Sequence, residues 1–190
     1  MRVDYCAPYV QTNMKPVVFL DFGNALAVHK FSDSLRVLDA TAMTIIDAFP
    51  DLWLDVTDTA ARRNLQTLHK EFEPSYVISS SWASHLSLDQ MTKTLKRCGL
   101  KFVALNLCEH WRTPRSETSN RLSEIEAWLE LRAWKDSEAY IIIDGHLLAE
   151  ALSGSWLEGR SVLCDARVGF SAAKLMLAQK ILHSQFKRAQ

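Results

Sequence analysis

Two aspartates, far apart in the chain, each close an apolar run built for a β-strand. Asp21 follows Pro16-Val17-Val18-Phe19-Leu20, and Asp144 follows Tyr140-Ile141-Ile142-Ile143. A glycine-bearing turn comes next in both places, Phe22-Gly23-Asn24 after the first and Gly145 after the second. A carboxylate at the end of a buried strand costs desolvation energy unless it pairs, binds a metal or does chemistry. Open α/β sheets keep their ligand sites at the carboxyl ends of their strands. Two further polar features lie between the aspartates. The serine run Ser79-Ser80-Ser81, followed by Trp82, ends the apolar run Tyr76-Val77-Ile78, and Arg121 opens an amphipathic stretch.

The elements that must position these residues follow from pattern. Strands are expected at about 16–21, 76–79, Lys101–Leu105, 140–144 and 161–165. Continuous rather than alternating apolar runs suit strands buried on both faces of a parallel sheet. Helical periodicity fills about 58–72, 88–98, 121–133 and 171–187. Ser87 and Gln90 have capping-box spacing before the second of these, and Gly99 stands where it should stop. Alternating strands and helices predict a three-layer, doubly wound α/β domain with a mostly parallel sheet. The expected organisation is a flexible leader at 1–14 and a single domain at 15–190, interrupted by a small insertion at about 27–57. That insertion carries an amphipathic run, Leu35 to Phe49, then Pro50 and Trp53-Leu54, and reads as a minimal flap over the strand ends.

Composition narrows the partners. At 190 residues with 48% hydrophobic content the chain can bury a real core. Its 22 Lys and Arg balance 22 Asp and Glu, so no global field draws it to nucleic acid or to an anionic membrane. Cys6, Cys98, Cys108 and Cys164 form no C-x-x-C pair and read as free thiols of a reducing compartment. No apolar run approaches the ~20 residues that span a bilayer. The expectation is a cytoplasmic protein that does not meet the membrane, with a local basic patch left open.

The ordered pieces Val18-Phe19-Leu20-Asp21, Val77-Ile78-Ser79-Ser80-Ser81-Trp82, Arg121 through Leu129, Ile142-Ile143-Asp144 and the tail Asp165 through Gly169-Phe170 together resemble the haloacid dehalogenase (HAD) superfamily of phosphohydrolases. They are most similar to its small, nearly capless members, of the kind associated with RNA-repair proteins. The resemblance spans about residues 16–182 and implies a HAD-like, Rossmann-like fold. It implies that Asp21 is the nucleophile that takes the phosphoryl group as an aspartyl-phosphate, splitting one hard step in two. It makes Ser80 the hydroxyl that holds a phosphoryl oxygen, with Ser79 as the neighbouring candidate. It makes Arg121 the cation that neutralises the transferring group, with Arg115 and Lys101 as competitors. Mg²⁺ would be held by Asp21, Asp144 and the backbone carbonyl of Gly23.

Two positions depart from the pattern. Phosphatases of the superfamily carry a second aspartate two residues after the first, as general acid and base; here the residue is Gly23. The second carboxylate often found beside the fourth-motif acid is replaced by Gly145. Two readings therefore stand: a weak Mg²⁺-dependent phosphohydrolase that takes a small phosphorylated substrate or nucleotide, or an inactive HAD-like module that binds phosphate or a protein. A third, metal-free dehalogenation at carbon, is opposed by Asp144 and by the lack of a sizeable cap. His146 could replace the missing acid, although it, His29 and His110 read more simply as helix caps. Asp165 reads equally as a support for the metal site or a turn residue. Trp53, Trp111, Trp128, Trp134 and Trp156 read as packing rather than as a base-stacking platform.

Overall fold

In the computed structural model, residues 15–26, 56–134, 138–145 and 150–188 are described. The strands are β1 (Val17–Leu20), β2 (Ser75–Ile78), β3 (Leu107–Arg112), β4 (Tyr140–Gly145) and β5 (Ser161–Cys164). They form one parallel sheet in the order β3-β2-β1-β4-β5. The helices are α1 (Phe22–Leu26), α2 (Thr59–Phe72), α3 (Trp82–His85), α4 (Leu88–Arg97), α5 (Lys101–Ala104), α6 (Arg121–Leu131) and α7 (Ala172–Arg188).

Successive side chains of a strand point to opposite faces, and the core divides accordingly. Val18, Leu20, Tyr76, Ile78, Ile141 and Ile143 meet Leu65 and Leu68 of α2, Met91 and Leu95 of α4, and Ala178 and Leu182 of α7. Val17, Phe19, Val77, Tyr140 and Ile142 meet Ile125, Trp128 and Leu129 of α6. This is the expected three-layer arrangement. The chain order reverses direction across the sheet between β1 and β4, which makes the carboxyl ends of those two strands the switch-point crevice.

The expected strand at Lys101–Leu105 is a correction. Lys101–Ala104 is a helical turn, and the strand lies at Leu107–Arg112. Gly99 adopts φ +75° to end α4, and Leu100 and Val103, three residues apart, are then buried together as a helix allows. A short apolar run cannot by itself separate the two states. The real β3 is a half-exposed edge strand with Glu109 and His110 on it, so it lacks the apolar continuity of its neighbours. The other boundaries fall within one to three residues of expectation. The capping box at Ser87 and Gln90 is formed, with both hydrogen bonds present.

The leader and most of the insertion, residues 27–55, lie outside the described residues, as do His29, Trp53 and His146. The insertion's ends meet: Asp58 N–H donates to the carbonyl of Leu26 at 2.8 Å. Cys98, Cys108 and Cys164 are free thiols. Among the described residues no helix is long and apolar enough to cross a membrane.

One side chain ties the layers that carry the candidate site. Trp128 is fully buried, meets the Phe19 ring edge-on at 5.0 Å, and its indole N–H donates to the carbonyl of His110 at 2.7 Å. It thereby fixes α6 against β1 and β3 at once. Trp128→Ala is expected to lower the unfolding free energy by ~3–5 kcal/mol, the usual loss for a buried aromatic, as measured by urea denaturation.

Candidate functional site

The register of β1 and β4 brings the two aspartates together. Leu20 pairs with Ile143, so the next residue of each strand is Asp21 or Asp144. The backbone is joined there as well, since Asp21 N–H donates to the Ile143 carbonyl at 2.9 Å. Neighbouring strands lie ~4.8 Å apart, and the two acids sit side by side at the crevice. Both are buried. Asp21 Oδ1 accepts from Gly23 N–H at 3.1 Å, and Asp144 Oδ1 accepts from Gly145 N–H at 2.7 Å.

Arg121 is the first residue of α6. The helix is started by Asn120, whose side chain accepts from Ser123 N–H while the Ser123 hydroxyl accepts in return from Asn120 N–H. A cation in the first turn opposes the helix dipole, and this one is buried as well. Two carboxylates offset that cost. Arg121 Nε lies 2.5 Å from Asp144 Oδ2, and Nη1 donates to Glu124 Oε2 at 2.6 Å. Burial by itself would lower the pKa of the guanidinium. The negative charges of Asp144, Asp21 and Glu124 outweigh burial and raise it. For Asp144, burial first and the Asp21 carboxylate second push the carboxyl well above the usual carboxylate range, while Arg121 and Gly145 N–H pull it back.

The serine run closes the crevice on the β2 side. Ser79 N–H donates to the Leu20 carbonyl at 3.0 Å, which sets it beside Asp21. The hydroxyls of Ser79 and Ser80 are buried and have no hydrogen-bond partner among the described residues. Each such group costs ~1–3 kcal/mol, so two adjacent ones at a strand end are a notable departure from full satisfaction. Ser81 occupies the N-cap position of α3, but its side chain makes no capping bond.

The remaining sequence candidates separate cleanly. Arg115 lies in the loop after β3, with Nε 3.6 Å from Glu124 Oε1. Lys101 opens α5, before the amino end of β3, and so stands away from the crevice. His110 is in β3 rather than at a helix end. Asp165 serves a turn: its side chain accepts from Arg167 N–H at 2.7 Å and its carbonyl from Gly169 N–H at 2.7 Å. Trp156 is 62% exposed, outside the core, and its indole N–H donates to Glu126 Oε1. Glu124 was not among the expected site residues. Helical i,i+3 spacing was its signal, and its other oxygen also accepts from the Ser119 hydroxyl at 3.1 Å.

A model of the family "HAD domain in Swiss Army Knife RNA repair proteins" matches residues 17–175. The chain belongs to that family. It is thus a HAD domain of phosphohydrolase type, and the match covers the whole sheet and begins with the strand that carries Asp21. No significant match was found among curated proteins or among solved structures.

The donors present fit a hard cation of modest demand. No group of three or more His, Cys, Asp or Glu side chains gathers to hold a metal among the described residues. Two carboxylates do converge, and Mg²⁺ is ordinarily held by one or two carboxylates while water and substrate phosphate complete its shell.

The buried cluster makes a sharp expectation. Arg121→Met leaves Asp144 and Glu124 buried without their cation, and the unfolding free energy should fall by ~3–5 kcal/mol at neutral pH. Asp144 already has a folded pKa above its ordinary 3.8; such a group favours folding below the ordinary value and loses that contribution as pH rises through the folded value. Removing the arginine raises the folded value further. The deficit of Arg121→Met should therefore shrink as pH falls toward 4, which urea titrations across pH would show.

Proposed function

We propose that this domain transfers phosphoryl groups through Asp21, slowly. The observation that carries the reading is the pairing of Asp21 with Asp144 at the switch point, with Arg121 behind them and, beside them, the Ser80 hydroxyl that has no partner among the described residues. An Asp21 carboxylate oxygen would attack phosphorus as the ester P–O bond breaks. Water would then cleave the aspartyl-phosphate, releasing phosphate and regenerating the carboxylate. Ser80 O–H would donate to a phosphoryl oxygen, giving a partner to a buried hydroxyl that has none among the described residues. Mg²⁺ held by Asp21, Asp144 and the Gly23 carbonyl would supply charge stabilisation for the transferring group.

Arg121 departs from its expected part. With its guanidinium committed to Asp144 and Glu124, it acts on the site by holding Asp144 in place and by offsetting its charge. A direct grip on the phosphoryl group would require it to leave one of those carboxylates.

The weakness lies at Gly23. The leaving oxygen needs a proton, and glycine has none to give; general acid–base help is worth ~10²–10⁴-fold in rate. Gly23 lies in α1 and is not among the residues with positive φ, so an aspartate there needs no unusual backbone. The inactive-module reading draws on the same glycine and on the absence of a second carboxylate at Gly145.

Phosphate-ester hydrolysis with Mg²⁺ separates the two. The expected result is a slow release of phosphate by the wild type, none by Asp21→Asn, and a rise of ~10²–10⁴-fold in Gly23→Asp. Equal rates for wild type and Asp21→Asn reject the transfer mechanism. No turnover together with capture of phosphate or BeF₃⁻ supports the inactive module.

A further inference from the structure

Four charged groups of alternating sign run in series from the surface into the crevice. Arg115, in the loop after β3, has its Nε 3.6 Å from Glu124 Oε1. Glu124 Oε2 accepts from Arg121 Nη1 at 2.6 Å. Arg121 Nε meets Asp144 Oδ2 at 2.5 Å. The two inner links are short, and all three of their residues are buried. The outer link is longer than the ~2.7–2.9 Å of a direct charge-assisted bond, and the Arg115 side chain is 42% exposed. Its loop is held to the sheet by Thr113 N–H, which donates to the Ile78 carbonyl at 3.2 Å. Arg115 lines an open groove of about 500 Å³, with Arg112 and Glu109 in the same wall, so its side chain has room to move.

A phosphate in the crevice adds negative charge beside two buried carboxylates, and a buried anion needs a partner. Among the described residues Arg121 is the one buried Lys or Arg. It can turn to the phosphate only by giving up a carboxylate. Asp144 is the costly one to release: it is fully buried, and breaking a buried pair strands its charge. Glu124 is different. Its Oε1 keeps the Ser119 hydroxyl at 3.1 Å, and Arg115 has only ~1 Å to travel to bond it directly.

Taking the crevice as the phosphate site proposed above, we propose that Glu124 is a latch on Arg121 and that Arg115 is its relief counter-ion. When phosphate arrives, Arg121 keeps Nε on Asp144, and Nη1 leaves Glu124 for a phosphoryl oxygen. Arg115 closes on Glu124 in its place, so the buried carboxylate is never without a cation. Glu124 and phosphate thus compete for one guanidinium. Glu124 and Arg115 are positioning residues that set the affinity of the site without touching the ligand.

The probe is inorganic phosphate with Mg²⁺, titrated calorimetrically into the full chain, because capture needs no turnover. Glu124→Gln keeps an oxygen for Ser119 and Arg121 but drops the charge. It should bind phosphate about tenfold tighter than the wild type, the usual gap between charged and neutral hydrogen-bond partners. Arg115→Gln should bind it about tenfold more weakly. With glutamine at 124 no charge is left to relieve, so adding Arg115→Gln to Glu124→Gln should cost less than about twofold. Such non-additivity marks a shared carboxylate. Weaker capture by Glu124→Gln overturns the latch. So does an equal loss from Arg115→Gln in both backgrounds, which a direct contact between Arg115 and phosphate would give. A crystal structure of the unaltered chain with phosphate and Mg²⁺ decides even if a variant does not fold: Arg121 still on Glu124 overturns the latch. Hydrolysis by the wild type and Asp21→Asn keeps the two readings apart. The expected order of affinities without Asp21-dependent turnover supports the latch and sinks the transfer. Asp21-dependent turnover with phosphate affinity unmoved by Glu124→Gln does the reverse. No phosphate capture by any variant overturns the latch, and hydrolysis still judges the transfer.

Discussion

A single buried guanidinium carries much of the structure around the crevice. Arg121 sits between Asp144 on a central strand and Glu124 on its own helix, with Asp21 near enough to add to its charge balance. None of these groups is stable in that position alone. The two carboxylates offset the burial of the cation and its unfavourable place at a helix start, and the cation makes the burial of Asp144 tolerable. The docking of α6 and the electronegativity of the crevice are one problem with one solution. Glu124 extends it outward, because it also accepts from Ser119 and faces Arg115.

That economy shapes the proposed chemistry. A guanidinium engaged by two acids is a positioning group before it is a ligand for substrate. In the proposed reaction the hydroxyls of Ser79 and Ser80, buried and without partners among the described residues, would meet a phosphoryl oxygen. On this reading the site holds phosphate better than it turns it over, since the position two residues after Asp21 supplies only backbone.

The edge of the sheet adds a second theme. β3 is polar because it has one neighbour strand and faces solvent, and its carboxyl end delivers Arg112, Thr113 and Arg115 to the same rim as Asp21 and Asp144. Chain-wide charge balance says nothing about such a rim. Acids oppose those arginines locally, Glu109 in the same wall and Glu124 beside Arg115.

The central strands, the helices with strong amphipathic spacing and the two aspartates were legible in the sequence, because burial on both faces leaves continuous apolar runs and a charge at the end of one is conspicuous. The order of motifs also pointed to the family that the chain belongs to. β3 was not legible: an exposed edge strand has no apolar signature, and the run at Lys101–Leu105 that mimicked one packs as a helical turn after Gly99. With the strand misplaced, the loop at Thr113–Arg115 could not be assigned to the rim of the site. Residue type and spacing placed Arg121 at a helix start and Glu124 one turn on. Only the tertiary structure decided that this cation reaches across to Asp144, because that contact depends on how α6 lies against β1 and β4, a matter of packing around Trp128 and Phe19 that no local pattern encodes.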